Sequence, residues 1–197
     1  MRQLVWLDLC SGLGGASQPA LDRGWKVIRV DIDPRFKPDV VADLLNPDDL
    51  KRVGRELSKE WITVAWASPV CTEFTKSTLP KTWAATWKNP PKPSTALTTA
   101  CTDLFNLVNP DWWIIENVMG ARKFLTPILG PVAARVCGHV FWGRLPGLIP
   151  DAKSHKWRLP PTPYRTALRA KIPYEIGEAI CAAVERRESE ATSSPAE

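Results

Sequence analysis

No stretch of this chain stays apolar for the roughly 18 residues that a membrane-spanning helix needs, because charges and prolines interrupt every hydrophobic run. A membrane span is therefore not expected. Met1-Arg2-Gln3 leads straight into a strand pattern, so neither a signal nor a transit peptide is expected. The five cysteines, Cys10, Cys71, Cys101, Cys137 and Cys181, contain no CxxC pair and are odd in number. That pattern argues against a structural zinc site and against a disulfide framework, and it suits a reducing, cytoplasmic interior. No metal is expected, and there is no internal repeat. What is present is an ordinary globular composition, 44% hydrophobic and 24% charged over 197 residues, enough to bury one core in one domain.

The net charge of +5 is compatible with a polyanionic partner. Its distribution is more informative. Lys76, Lys81, Lys88 and Lys92 share a segment with Trp83 and Trp87, and a later group holds Lys153, Lys156, Trp157, Arg158, Arg165 and Arg169. Cations interleaved with aromatics suit a phosphate backbone and unstacked bases. Solvated loops whose tryptophans pack inward are the competing reading.

Residues 4–7 read as a buried strand, closed by Asp8-Leu9-Cys10-Ser11-Gly12-Leu13-Gly14-Gly15 and followed by a helix over 16–23. Glycines between strand and helix let backbone N–H groups approach a ligand, although Ser17 breaks the GxGxxG dinucleotide fingerprint. A second strand over 25–30 ends at Asp31-Ile32-Asp33, where a carboxylate is placed for a ribose diol. Asp31 is the better candidate, since Asp33 also suits a cap before Pro34. A third short strand, 40–43, ends in Asp43, and a polar helix over 47–58 follows with Asn46 as its cap.

The apolar run 62–67 ends at Ser68-Pro69-Val70-Cys71-Thr72-Glu73-Phe74-Thr75. That puts the Cys71 thiol on a loop at the C-terminal end of a strand, where open α/β sheets carry their chemistry. Cys71 is the candidate nucleophile, against the alternative of a small buried hydrophobe. Glu73 either assists chemistry or faces water. Residues 72–93 hold several prolines and little periodicity, which suits a flap over an active site. Helical spacing resumes over 94–108, and the buried strand 111–118 ends in Glu116-Asn117-Val118. Glu116 is then an acid at the sheet rim near Cys71, or an acid favoured at a helix start. Arg135 heads one further strand that runs through 142, with His139 a structural member of it. Residues 151–166 read as a basic surface loop, 172–187 as a terminal amphipathic helix, and 188–197 as a disordered tail.

In order and spacing, Asp8-Leu9-Cys10-Ser11-Gly12-Leu13-Gly14-Gly15, Asp31-Ile32-Asp33, Ser68-Pro69-Val70-Cys71 and Glu116-Asn117-Val118 resemble the motifs of DNA cytosine-5 methyltransferases. The similarity spans about residues 4 to 185 and is greatest to the small bacteriophage-type members; Arg169-Ala170-Lys171-Ile172-Pro173-Tyr174 resembles their last motif. The resemblance implies an α/β fold, a Rossmann-like methyltransferase sheet with flanking helices, over a single catalytic domain at 1–187. It implies S-adenosylmethionine held by Asp8, Gly12, Gly14, Gly15, Asp31, Asp43 and Pro69. It also implies attack of Cys71 on cytosine C6, with Glu116 at N3 and Arg135 at O2. The implied partner is double-stranded DNA in a bacterial cytoplasm, with Lys76, Lys81, Lys88, Lys156 and Arg158 as its contacts.

Three departures stand out. Val70 replaces the family proline, Ala133-Ala134-Arg135 keeps one arginine of a usual pair, and the stretch between Pro146 and Arg169 is too short for the family's large target-recognition region. Recognition is then short or relaxed. The same chemistry on RNA or a free cytosine nucleotide, or a catalytically silent binding protein, are the alternatives.

Overall fold

The computed structural model describes residues 2–76, 93–149 and 165–193. Its sheet has seven strands in the order β3-β2-β1-β4-β5-β7-β6. These are β1 (Val5–Leu9), β2 (Lys26–Asp31), β3 (Val40–Val41), β4 (Val64–Ala67), β5 (Trp112–Val118), β6 (Ala134–Val136) and β7 (His139–Arg144). The helices are α1 (Gln18–Asp22), α2 (Pro47–Leu57), α3 (Thr72–Lys76), α4 (Ala96–Val108), α5 (Arg122–Leu129), α6 (Arg165–Ala170) and α7 (Tyr174–Ser193). The fold is the expected Rossmann-like α/β sheet with flanking helices.

Strands β1 to β5 pair in parallel, and such strands, covered on both faces, must be apolar nearly throughout. The burial of every residue of β1 and β4 follows that rule. Side chains alternate between two cores. Val5, Leu7 and Leu9 join Ala65, Ala67 and Ile115 beneath α2 and α4, through Val53, Leu57, Leu104 and Phe105. Trp6, Trp66 and Ile114 pack on the other side against α1 and α7, through Ala20, Ile176, Ile180 and Val184. Asp8 therefore lies on the Trp6 face and Glu116 on the Ile114 face, the same side of the sheet. The chain leaves β1 toward β2 and β3, then returns to β4 on the opposite flank. That reversal opens the ligand crevice of an open α/β sheet, at the strands' C-terminal ends.

Several local expectations hold for identifiable reasons. Asn46 caps α2, its side chain accepting from the Asp48 and Asp49 N–H groups at 2.9 and 3.3 Å. Asp33 likewise caps a single 3-10 turn at Pro34–Phe36.

Two expectations are corrected. The single strand foreseen over 135–142 is a hairpin, because Cys137 (φ 53°) and Gly138 (φ 85°) both take the left-handed conformation of a tight two-residue turn. Residues 188–193, foreseen as the start of a disordered tail, continue α7. There Glu188 pairs with Arg2 at 2.9 Å, and Ser189 and Thr192 bond back to the carbonyls of Glu185 and Glu188. The expected flap at 72–93 begins as α3, and its residues 77–92 lie outside the described residues; of the loop expected over 151–166, residues 151–164 also lie outside them and 165–166 open α6 instead. Among the described residues no helix is long and apolar enough to cross a membrane.

Helix α7 presses on the turn after β1 so closely that a Cβ on Gly177 would lie 2.2 Å from the Ala16 carbonyl oxygen. A Cβ on Gly54 in α2 would instead crowd the tip of Leu107, at 2.8 Å, which can move aside, and make ordinary contact with Leu104 at 3.6 Å. Ala is otherwise favoured over Gly in a helix by about 1 kcal/mol. Gly177→Ala is therefore expected to lower stability by about 1–3 kcal/mol in urea unfolding, while Gly54→Ala is neutral or stabilising. Equal losses at both sites would contradict the packing described.

Candidate active site

Strand β4 hands the chain to its loop under tight control. The Ser68 N–H still donates to the Leu9 carbonyl at 3.2 Å, and Trp66 Nε1 donates to Ser68 Oγ at 2.8 Å. Pro69 is buried, and its carbonyl accepts from Asn117 Nδ2 at 2.9 Å. Cys71 follows at the entrance to α3, its carbonyl accepting from the Thr75 N–H at 3.0 Å and from Thr75 Oγ1 at 3.1 Å. Phe74 anchors that short helix among Ala121, Leu125 and Trp142. Cys101 and Cys181 are core residues, whereas Cys71 is half-buried on the loop, so the small-hydrophobe reading fits those two thiols and not this one. Val70, in place of the family proline, is 63% exposed.

Glu73 is exposed, as the second of its two readings has it, and its carboxylate also accepts from the Ser94 N–H at 2.7 Å.

Glu116 is buried one residue beyond Ile115, which pairs in register with Ala67 of β4. Its charge is felt at Cys71: burial pushes the thiol up, and the Glu116 carboxylate pushes it further in the same direction. The Cys71 loop and the Glu116 strand end are thus both mechanically tied, through Asn117, and electrostatically coupled.

Glu116 Oε1 lies 2.7 Å from His139 Nδ1. This contact exists because of the hairpin. Strand β7 pairs antiparallel with β5, setting Phe141 opposite Glu116 and His139 opposite Val118, all on one face. On a single strand Arg135 and His139 would share a face. The two-residue turn instead sets Arg135 opposite Val140, on the other face, at the sheet's edge and exposed. Arg135 is therefore not brought to Glu116 or Cys71, and His139, foreseen as structural, is.

The turn between β1 and α1 uses its glycines for conformation, with Gly12 at φ 48° and Gly14 at φ 69°. Arg29 braces it, donating to the Gly12 carbonyl at 2.6 Å and to the Phe36 carbonyl at 3.1 Å, and it fills the space where a Gly14 side chain would stand. Gly15 is packed against Lys171 and the Ile172 backbone. In front of Gly12 the space is open. Asp31 accepts from the Gly12 N–H at 2.7 Å and from the Asp33 N–H at 2.9 Å, so its carboxylate holds the turn as well as standing at the strand end. Asp43 accepts from the Leu45 N–H at 2.9 Å, a local turn cap.

Asp8 is buried; Oδ2 accepts from Ser17 Oγ at 2.5 Å, while Oδ1 and the neighbouring Ser11 Oγ are buried without partners. Spare buried polar atoms beside an open glycine turn fit a small polar ligand. Burial pushes the Asp8 carboxyl up to about 7, against the Ser17 hydrogen bond and the Arg29 charge, which both pull it down.

Lys76 closes α3, and Lys81, Lys88, Lys156 and Arg158 lie outside the described residues. Sequence reasoning missed α5, whose Leu125 helps seat Phe74, because its run is short and carries Pro127.

No protein-family model matches the chain, and no curated protein matches it. Solved structures similar to it include a prophage-encoded E. coli protein described as a candidate DNA modification methyltransferase. There the TM-score is 0.45 and the identity 20%, over 72% of this chain and 47% of that one. The Entamoeba histolytica methyltransferase EhMeth gives 0.39 and 19%, over 62% and 40%. The S. pombe Dnmt2 methyltransferase gives 0.36 and 14%, over 72% and 49%. The chain spans less than half the length of each. Similarity at this level carries no functional argument.

Two measurements check the electrostatics. The folded protein holds the Asp8 proton up to about pH 7, whereas the unfolded chain releases it near pH 4. Folding stability therefore falls as pH rises through that window, at up to about 1.4 kcal/mol per decade. Denaturant unfolding from pH 4 to 8 is expected to show Asp8→Asn gaining on the wild type as pH rises; parallel curves would refute the raised carboxyl. Removing the Glu116 charge lowers the Cys71 thiol, so Glu116→Gln is expected to alkylate faster with iodoacetamide at Cys71 near pH 8. A slower reaction would contradict the coupling.

Proposed function

We propose that this chain methylates cytosine at C5 in DNA, with S-adenosylmethionine as donor and a covalent bond between Cys71 and C6. One observation carries the reading: a half-buried loop thiol and a buried carboxyl meet at adjacent strand ends, close enough for the charge of one to shift the other. The motif resemblance supports it independently.

The chemistry asks for both groups. Cytosine C5 is a poor nucleophile until a soft thiolate adds at C6, and covalent catalysis divides that difficult step into easier ones. In the free protein burial and Glu116 both keep Cys71 protonated, which guards the thiol until a base is in place. As the base enters, Cys71 gives its proton to the Glu116 carboxylate; as sulfur then bonds to C6, the displaced π electrons reach N3, which takes that proton from Glu116. Once C5 is methylated, a water takes its proton, the Cys71 sulfur leaves as thiolate and N3 returns its proton to Glu116, which restores the aromatic ring. Asp8, Gly12, Gly14, Gly15 and Asp31, with Pro69 alongside, would hold S-adenosylmethionine at the turn, and it would supply the methyl group. The open space at Gly12 and the spare Asp8 and Ser11 oxygens fit its polar groups. Asp43, occupied in its own turn, has the least support among the cofactor residues, and Arg135 has no part in the site.

In a duplex the target carbon is reachable only after the nucleotide leaves the stack. The exposed Val70 and Met119 flank the site at the ends of β4 and β5, where a flipped base has to enter. Lys76, Lys81, Lys88, Lys156 and Arg158 are the proposed phosphate contacts, as befits a chain of net charge +5.

With duplex DNA containing 5-fluorocytosine and S-adenosylmethionine, the wild type is expected to form a denaturant-stable complex, because fluorine at C5 cannot leave as a proton. Cys71→Ser is expected to form none. A complex with Cys71→Ser would remove the nucleophile assignment, and a complex with RNA alone would move the substrate.

A further inference from the structure

We infer that His139 is a positioning residue for Glu116, fixing which carboxyl oxygen faces the base and stabilising the carboxylate once its proton has gone. The inference rests on the proposed cytosine chemistry and goes beyond the residues assigned to it.

The geometry is specific. His139 Nδ1 stands 2.7 Å from Glu116 Oε1, with the His139 side chain 19% exposed and that of Glu116 9% exposed. It is held there from two sides: the Cys137-Gly138 turn makes it the first residue of β7, and its ring lies 6.3 Å from that of Phe141, which faces Glu116 across the strands. Among the described residues no other side chain is hydrogen-bonded to Glu116. Cys71, from the β4 loop, also feels the Glu116 charge.

The atoms balance as follows. His139 carries its proton on Nδ1 and donates to Oε1, which leaves Oε2 to take the Cys71 thiol proton and direct it at N3. When the Cys71 sulfur bonds to C6, the C5–C6 π pair becomes a C4–C5 bond, the C4–N3 pair moves onto N3, and N3 takes the Oε2 proton. Glu116 is then an anion in a buried site, and the Nδ1–H hydrogen bond, now to a charged acceptor, is stronger than before. Starting from the thiolate–acid pair, an interaction that tightens as charge returns to Glu116 favours the addition step.

Asn and Leu have nearly the same shape, but only Asn offers an N–H donor close to the place of Nδ1, so the pair separates hydrogen bonding from packing. The measurement is the single-turnover rate of adduct formation on 5-fluorocytosine duplex with saturating S-adenosylmethionine, alongside the Kd for that duplex. His139→Leu is expected to slow the adduct by about 10- to 100-fold with the Kd unchanged, as loss of one hydrogen bond to a charged group predicts. His139→Asn is expected to recover most of the rate, and in a Glu116→Gln background His139→Leu is expected to cost little more. Wild-type rates in His139→Leu, or equal losses in the Leu and Asn variants, would overturn the inference alone. Absence of any adduct with the wild type would remove the proposed chemistry, and this inference with it.

Discussion

The hydrogen bond from Asn117 Nδ2 to the Pro69 carbonyl, 2.9 Å long and buried, is the contact on which the site depends. It joins the loop carrying the thiol to the strand carrying the carboxyl, one residue from Glu116 and two from Cys71. A buried amide that lost this partner would pay a desolvation penalty of about 1–3 kcal/mol, so the two strand ends are held together more firmly than loop contacts alone would hold them. The same amide's oxygen accepts from the Val118 N–H at 2.9 Å, which fixes its orientation.

Around that contact the sheet sorts tasks by position. The reversal at β1 opens a crevice beside the glycine turn, and the register of β4 on β5 brings the chemistry to its edge. Arg29 and Asp31 both shape the glycine turn. Phe74 anchors α3 directly after the thiol, and Glu73 is hydrogen-bonded to the Ser94 N–H.

Much of this was legible in the sequence, because the parallel strands are buried on both faces and read as plain apolar runs ending in Asp8, Asp31, Cys71 and Glu116. Caps at Asn46 and Asp33 were legible for the same local reason: their side chains bond the next residues. The hairpin was not, since a cysteine rarely takes a left-handed turn and Gly138 alone did not force one. That single miss reversed two roles. The motif resemblance pointed to Arg135, and a strand read straight through 135–142 kept it on the face of His139, whereas the turn sends Arg135 to the far face and delivers His139 to Glu116. Glu73 was undecidable because its partner, the Ser94 N–H, lies across a long loop.

The measurement that bears most directly on the account is base-resolved methylation sequencing of mixed-sequence duplex DNA after incubation with purified protein and S-adenosylmethionine, with Cys71→Ala as control. The account predicts 5-methylcytosine in a short recurring context, absent from the control. Unmodified cytosine throughout, from protein that binds S-adenosylmethionine, would contradict it.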